Sequence, residues 1–286
     1  MHEVKRYGDV VEWQWSTDNE LLPKPFWTSC YLVDGLLIDS GAPGGAGELQ
    51  AFVEALVPED AARACVLTHA HEDHAGGGKY LSEELGIPVY INEKALKMVH
   101  AGYTYPDYRQ LTWGEQLFPA PMLQPLPDSP MQTPGGKFIF ELFPMPGHAP
   151  CLVALIEREQ QWAFVADAVQ PKYQMIFGPN SPIIIEDIGG IYSSLQNLAD
   201  YTRDLTALKL FIAGHGMVEN GPVFLAEKIA EIDSLHHKAH ELSKQGLSER
   251  KILRALLGGE SFVGGFSRGA LSRLNFLQGL LAWPLE

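Results

Sequence analysis

At 286 residues the chain can hold one large domain, or one domain and an extension, with a core that needs no disulfide staples. Its side chains are 46% hydrophobic and 20% charged, a globular balance that excludes a disordered chain. Thirty-five acidic against 21 basic side chains leave a formal charge of −14, which argues against a nucleic-acid-binding surface.

In chain order, residues 1–15 contain no continuous apolar segment, so no secretory leader is expected there. No later run approaches a membrane span, and a cytoplasmic location is the default expectation. Positions 10–15 alternate as a strand does, and the prolines Pro23 and Pro25 mark a loop. Strand-like runs over 30–33 and 36–38 flank Asp34-Gly35, a hairpin signal. A loop over 39–45 follows, then helical spacing over 48–56 that stops before Pro58. The apolar run Ala64-Cys65-Val66-Leu67 leads directly into His69-Ala70-His71-Glu72-Asp73-His74. Beyond three glycines, 79–85 reads as a helix stopped by Gly86, and 87–91 as a strand. This is the strand–loop–helix–strand grammar of an α/β layer protein, and it puts the six-residue cluster at a strand's carboxyl end, where functional groups are commonly held. The three cysteines, Cys30, Cys65 and Cys151, are odd in number and far apart, so no disulfide framework is implied.

The stretch 100–135 is irregular. Tyr103, Tyr105, Tyr108 and Trp113 crowd its first part, and six prolines fall over 119–134. It reads as a lid or inserted loop, with a surface excursion as the alternative. A strand over 138–143 precedes Pro146-Gly147-His148, and a hairpin over 152–156 and 162–165 leads to Asp167. Ser193 or Ser194 is placed to cap a helix with Leu195, Leu198, Leu205 and Leu208 on a buried stripe. A strand over 210–213 ends in Gly214-His215-Gly216. After about Ile232 the pattern is helical, with segments at 236–244, 249–257 behind Ser248, and about 268–281. The expected organisation is a catalytic domain over 1–232 and a helical extension over 233–286, the extension serving packing or homodimerisation. His236 and His240 share a helix face with no convergent partner, so they are expected to be solvated.

Imidazole nitrogen and carboxylate oxygen are ligands for zinc and related divalent ions. His69, His71, Asp73, His74, His148, Asp167 and His215 are the candidates, each just beyond a strand-like run or at the start of a helix. Lys172 and Tyr173, five and six residues after Asp167, are candidate donors to a substrate oxyanion, with an ordinary loop role as the alternative.

The pattern resembles the metallo-β-lactamase-fold superfamily over about 10–220. The resemblance rests on Thr68-His69-Ala70-His71-Glu72-Asp73-His74-Ala75-Gly76-Gly77, on Leu37-Ile38-Asp39-Ser40-Gly41, on Pro146-Gly147-His148-Ala149-Pro150, and on Gly214-His215-Gly216. It implies an α/β fold, the four-layer αβ/βα sandwich, here followed by C-terminal helices. It also implies two ions, zinc first with manganese or iron as alternatives. His69, His71 and His148 would hold one, Asp73, His74 and His215 the other, and Asp167 would bridge them. Two adjacent cations lower the pKa of a shared water and present hydroxide near neutral pH, with Asp73 as the catalytic residue that orients it or shuttles a proton. One departure is Ala166-Asp167, where the family has Gly-Asp, which puts the backbone turn at that position in question. The expected activity is hydrolysis of a small ester, thioester or lactone, with no nucleic-acid or membrane partner. The alternatives are a phosphodiesterase or nuclease of the same fold, and a mononuclear iron enzyme like the sulfur dioxygenases. A β-lactamase proper is disfavoured because no export signal is present.

Overall fold

The alternating segment at 10–15 becomes the second strand of a seven-stranded sheet. In the computed structural model, which describes residues 1–285 other than Pro23, Tyr103, 116–118 and 182–183, that sheet follows chain order. Its strands are β1 (His2–Tyr7), β2 (Val10–Ser16), β3 (Trp27–Val33), β4 (Leu36–Ile38), β5 (Ala64–Val66), β6 (Val89–Ile91) and β7 (Gln124–Pro125). The readings for Pro23 and Tyr103 lie outside the described residues. The first four strands pair antiparallel, and β4 through β7 pair parallel. Parallel neighbours need crossovers, and helices α1 (Ala46–Glu54), α2 (Glu72–Ala75), α3 (Gly78–Glu83), α4 (Glu93–Ala101) and α5 (Asp107–Trp113) lie in those connections.

A second sheet has the order β14-β13-β11-β10-β9-β8. Its strands are β8 (Met131–Gln132), β9 (Ile139–Pro144), β10 (Val153–Glu157), β11 (Trp162–Phe164), β13 (Lys209–Ile212) and β14 (Gly216–Val218). The expected hairpin over 152–165 is β10–β11, with Leu155 opposite Phe164. The core lies where the two sheets face each other. Val10, Tyr31, Val33, Leu36, Ile38 and Val66 from the first meet Phe140, Leu155, Trp162, Phe164 and Phe211 from the second. Phe164 and Phe211 stack at 4.4 Å, and Tyr31 meets both edge-on. All of this belongs to one compact unit, Met1–Pro144 with Cys151–Asp167 and Leu208–Glu219.

The second unit comprises Met145–Pro150, Ala168–Ala207 and Asn220–Glu286. It holds the paired strands β12 (Ile176–Phe177) and β15 (Leu271–Ser272), and the helices α6 (Ile188–Tyr201), α7 (Gly221–Lys244), α8 (Glu249–Leu257), α9 (Phe262–Phe266) and α10 (Arg273–Ala282). The helix expected behind Ser193 or Ser194 starts at least six residues earlier, because Asp187 is its N-cap residue. Gly189 and Gly190 are poor helix formers and hide that first turn from a propensity reading. The helix expected at 236–244 begins at Gly221, behind an Asn220 side chain that accepts from the Val223 amide. His236 is buried, not solvated. It stacks on Trp283 at 3.9 Å and donates Nε2–H to the Trp283 carbonyl, while His240 reaches the Leu280 and Trp283 carbonyls. The last carbonyls of a helix lack intrahelical donors, and these two imidazoles supply them for α10. Among the described residues no helix is long and apolar enough to cross a membrane.

Candidate metal centre

The motif strand β5 ends at Val66, and the chain continues through Leu67 and Thr68 to the cluster. His71 is the N-cap residue of α2, so Glu72, Asp73 and His74 emerge from one short helical turn. Asp39, at the end of β4 with φ of 63°, organises this loop. One of its carboxylate oxygens accepts the Thr68 amide at 2.7 Å, and the other accepts the Thr68 hydroxyl at 3.0 Å. That second oxygen also lies 2.8 Å from His74 Nδ1. The Thr68 hydroxyl gives its hydrogen to Asp39, so its oxygen is the acceptor for His69 Nδ1 at 3.0 Å. Both rings are thereby held with Nδ1 on its support and Nε2 facing away from it, the arrangement that orients metal-binding imidazoles. The Asp73 carbonyl accepts from Thr28 Oγ1, which ties α2 to β3.

Within the first unit the structure brings five of the seven predicted ligands together. One ligand atom each from His69, His71 and Asp167 lies within 4.8 Å of the others, and the same holds for Asp73, His74 and Asp167. Asp167 belongs to both groups. Asp167 Oδ2 and Asp73 Oδ2 are 3.5 and 3.8 Å from His74 Nε2. The residue before it, Ala166, has φ of 45°, so the alanine that stands where the family has glycine adopts the left-handed conformation that glycine favours. His215 is in the same unit, on the β13–β14 turn, where it is exposed and outside both groups.

His148 is in the second unit. Its Nδ1 is 2.5 Å from Glu186 Oε1, and the other Glu186 oxygen accepts the Phe177 amide. Gly147 has φ of 130°, and a Cβ there would collide with the Ile191 nitrogen, so only glycine allows this turn to meet the start of α6. The Asp187 amide and the Ser194 hydroxyl then bond the Gly147 and Pro146 carbonyls. Tyr173 is buried, and its hydroxyl donates to the Ala168 carbonyl and accepts the Gln170 amide. Lys172 and Tyr173 line a cavity of about 350 Å³ with Arg273 and Glu231, also in the second unit.

Two carboxylates close to one imidazole set the electrostatics of the centre. Burial raises the Asp73 carboxyl to about 6, and Glu72 and Asp167 push the same way against His74 and Arg109. Burial works against a charge on His74, yet Asp39, Asp167 and Asp73 together hold its pKa well above the ordinary imidazole value. Although the residue is exposed as a whole, partial desolvation of its ring shifts His215 down. Such a concentration of buried negative charge suits a cation. Sequence reasoning missed the supports: Asp39, Thr68, Glu186, and the buried ion pair in which Arg109 of α5 grips Glu72 through Nε and, at 2.7 Å, Nη2. Asp39 and Thr68 stood inside the quoted motifs, whereas nothing local marked Glu186 or Arg109.

The model of the metallo-beta-lactamase superfamily matches residues 24–215. The chain belongs to this superfamily. It is 31% identical to a probable metallo-hydrolase, YybB, of Bacillus subtilis over 31% of this chain and 37% of that one, so it matches little more than a third of that relative's length. It is 26% identical to the hydroxyacylglutathione hydrolase GloC of Haemophilus influenzae over 52% of this chain and 71% of that one. A metallo-beta-lactamase family protein from Thermus thermophilus superimposes with a TM-score of 0.62 at 19% identity, covering 94% of this chain and 90% of that one. At that identity the likeness shows the fold, an αβ/βα sandwich with C-terminal helices, as the sequence led us to expect.

Proposed function

We propose that this superfamily member is a dinuclear metal-dependent hydrolase that cleaves a small ester, thioester or lactone. The observation that carries the reading is Asp167, shared between two groups of ligand atoms each within 4.8 Å. In this reading His69, His71 and His148 hold one ion, Asp73, His74 and His215 hold the other, and Asp167 reaches both. Bound there, two divalent ions, zinc in the first instance, would supply an acidified water and polarise the substrate's carbonyl oxygen. The chain's own residues do the rest. Asp39, Thr68 and Glu186 hold three imidazoles in the tautomer that offers Nε2. Asp73 is the residue placed to orient the attacking water or to shuttle its proton to the leaving group. An acylated glutathione, the substrate in the name of the Haemophilus influenzae relative, is a thioester, which supports the acyl-transfer class.

Metal analysis and an activity screen on the same preparation test the proposal. About two zinc or manganese ions per chain, with turnover of thioesters or lactones that disappears in a folded His71→Ala variant, is the expected result. A single iron with oxygen consumption, or unchanged turnover in His71→Ala, would refute it.

A further inference from the structure

Glu12 is a fully buried carboxylate that neither ligand group uses. It lies on β2 opposite Tyr31 of β3, and Gln14 lies opposite Ser29. Residues two apart on a strand share a face, so Glu12, Gln14, Ser29 and Tyr31 form one polar patch. Glu12 Oε1 accepts the Ser29 hydroxyl at 2.8 Å and Gln14 Nε2 at 3.0 Å, and Oε2 accepts the Tyr7 hydroxyl at 3.1 Å. Lys5 Nζ, 2.7 Å from Gln14 Oε1, fixes which way that amide faces.

A carboxylate only accepts, so the Ser29 hydrogen is committed to Glu12. The Ser29 oxygen is thereby left as an acceptor, and it takes the Gly214 amide at 2.8 Å. Two residues along β3, the Tyr31 hydroxyl donates to the Ile212 carbonyl at 2.9 Å, the same oxygen that the His215 amide reaches at 3.0 Å. Gly214 has φ of 68°, and a Cβ there would collide with the Trp27 carbonyl oxygen. The turn that carries His215 is thus held against β3 by two hydroxyls and a close approach that only glycine permits. Glu12 sets the direction of the first hydroxyl. The Ser29 oxygen also accepts Gln14 Nε2 at 3.3 Å, so a glutamine at position 12 would place its oxygen where Oε1 stands and keep this direction. A leucine, in contrast, removes the acceptor and frees the hydroxyl to turn its hydrogen towards the Gly214 amide, replacing a bond with a clash of donors.

We propose that Glu12 is a positioning residue for His215, acting through Ser29 and the Gly214 amide. The inference rests on the assignment of His215 to the second ion. The test titrates cobalt(II) into the full-length metal-free protein and follows its absorption, comparing wild type, Glu12→Leu, Ser29→Ala and His215→Ala. Folding is checked by circular dichroism. Both Glu12→Leu and Ser29→Ala are expected to bind the first equivalent as wild type does and the second roughly tenfold or more weakly, the size of effect usual for a supporting contact. A merely structural role would not separate the two equivalents, and Ser29→Ala, the smaller change, keeps the test open should Glu12→Leu fail to fold. A folded Ser29→Ala that binds the second equivalent normally, while His215→Ala loses it, overturns the inference and leaves the metal assignment standing. A His215→Ala titration that coincides with wild type overturns the assignment itself, and the inference with it.

Discussion

His74 decides how the metal-free centre is charged. It is held between Asp39 on one ring nitrogen and Asp73 and Asp167 on the other, and these carboxylates keep it protonated at neutral pH despite its burial. A metal ligand must be the neutral imidazole, so loading the site expels that proton. Calorimetric titration at pH 7 in two buffers of different ionisation enthalpy should therefore show roughly one proton released with the ion that His74 binds; identical heats in both buffers would contradict the account. Asp39→Asn keeps the shape but removes the charge behind His74 and one of the two acceptor oxygens that Thr68 and His74 share, and ion affinity should fall about 10- to 100-fold. Ala166 offers a stability measurement. Its φ of 45° costs an L-residue roughly 1–2 kcal/mol, against an entropic penalty of about 0.5–1 kcal/mol for glycine. Ala166→Gly should raise stability by about 0.5 kcal/mol in a denaturant titration, and a lower midpoint would show that the turn is supported in another way. The cluster histidines were legible because three imidazoles packed into six residues after an apolar run are the donor set of a metal site and suit little else. Glu186 was not, because it meets His148 across 38 residues with no periodic signal between them.

At the scale of elements, the least readable stretch, 100–135, contains the helix that matters most to the site. Prolines and aromatics obscured any period there, yet α5 forms over Asp107–Trp113 and sends Arg109 into a buried pair with Glu72, its Nη2 also 3.8 Å from Asp73 Oδ1. A buried bidentate ion pair on the metal-motif helix anchors α5. Removing one member of such a pair leaves an uncompensated charge and typically costs about 3–5 kcal/mol. Arg109→Met should destabilise the protein by about 3 kcal/mol in urea, and the double variant Arg109→Met/Glu72→Leu should recover part of that loss. Additive losses would mean that the two side chains act independently. The strands, by contrast, were legible where alternation and turn chemistry agreed: Asp34-Gly35 turns β3 into β4 with positive φ at both residues, as an Asp-Gly hairpin requires. The start of α6 was lost to a glycine pair, and the start of α7 to a first half whose buried positions, Leu225 and Ile232, are too sparse to show a stripe.

For the whole molecule, the superfamily could be read from the sequence because its ligands sit in short motifs at strand ends, whereas the supports that fix those ligands come together only in the fold. The consequence is a stability that depends on metal and pH together. In the metal-free protein His74 has a folded pKa above its unfolded value, so the stability it lends is complete below about pH 6.5 and is lost as the pH rises through the higher folded value. The Asp73 carboxyl, at about 6 against an ordinary 3.8, behaves in the same sense: its contribution is present below about pH 4 and is lost as the pH rises through 6. For a largely buried side chain that loss is on the order of 2 kcal/mol. Both groups make the metal-free protein weaker from pH 5 to pH 8. Bound ions act oppositely, because they need the deprotonated ligands that higher pH supplies, and at 100 times the dissociation constant they add about 2.7 kcal/mol. The melting temperatures of loaded and chelated protein should therefore diverge as pH rises, by more at pH 8 than at pH 5.5 in paired calorimetric scans. Asp73→Asn should raise the melting temperature of the chelated protein at pH 8 while reducing the gain from added metal to that of the first ion alone. A gap that stays constant with pH, or an Asp73→Asn protein that gains as much from metal as wild type does, would mean that the charge gathered around His74 is not what binds the second ion.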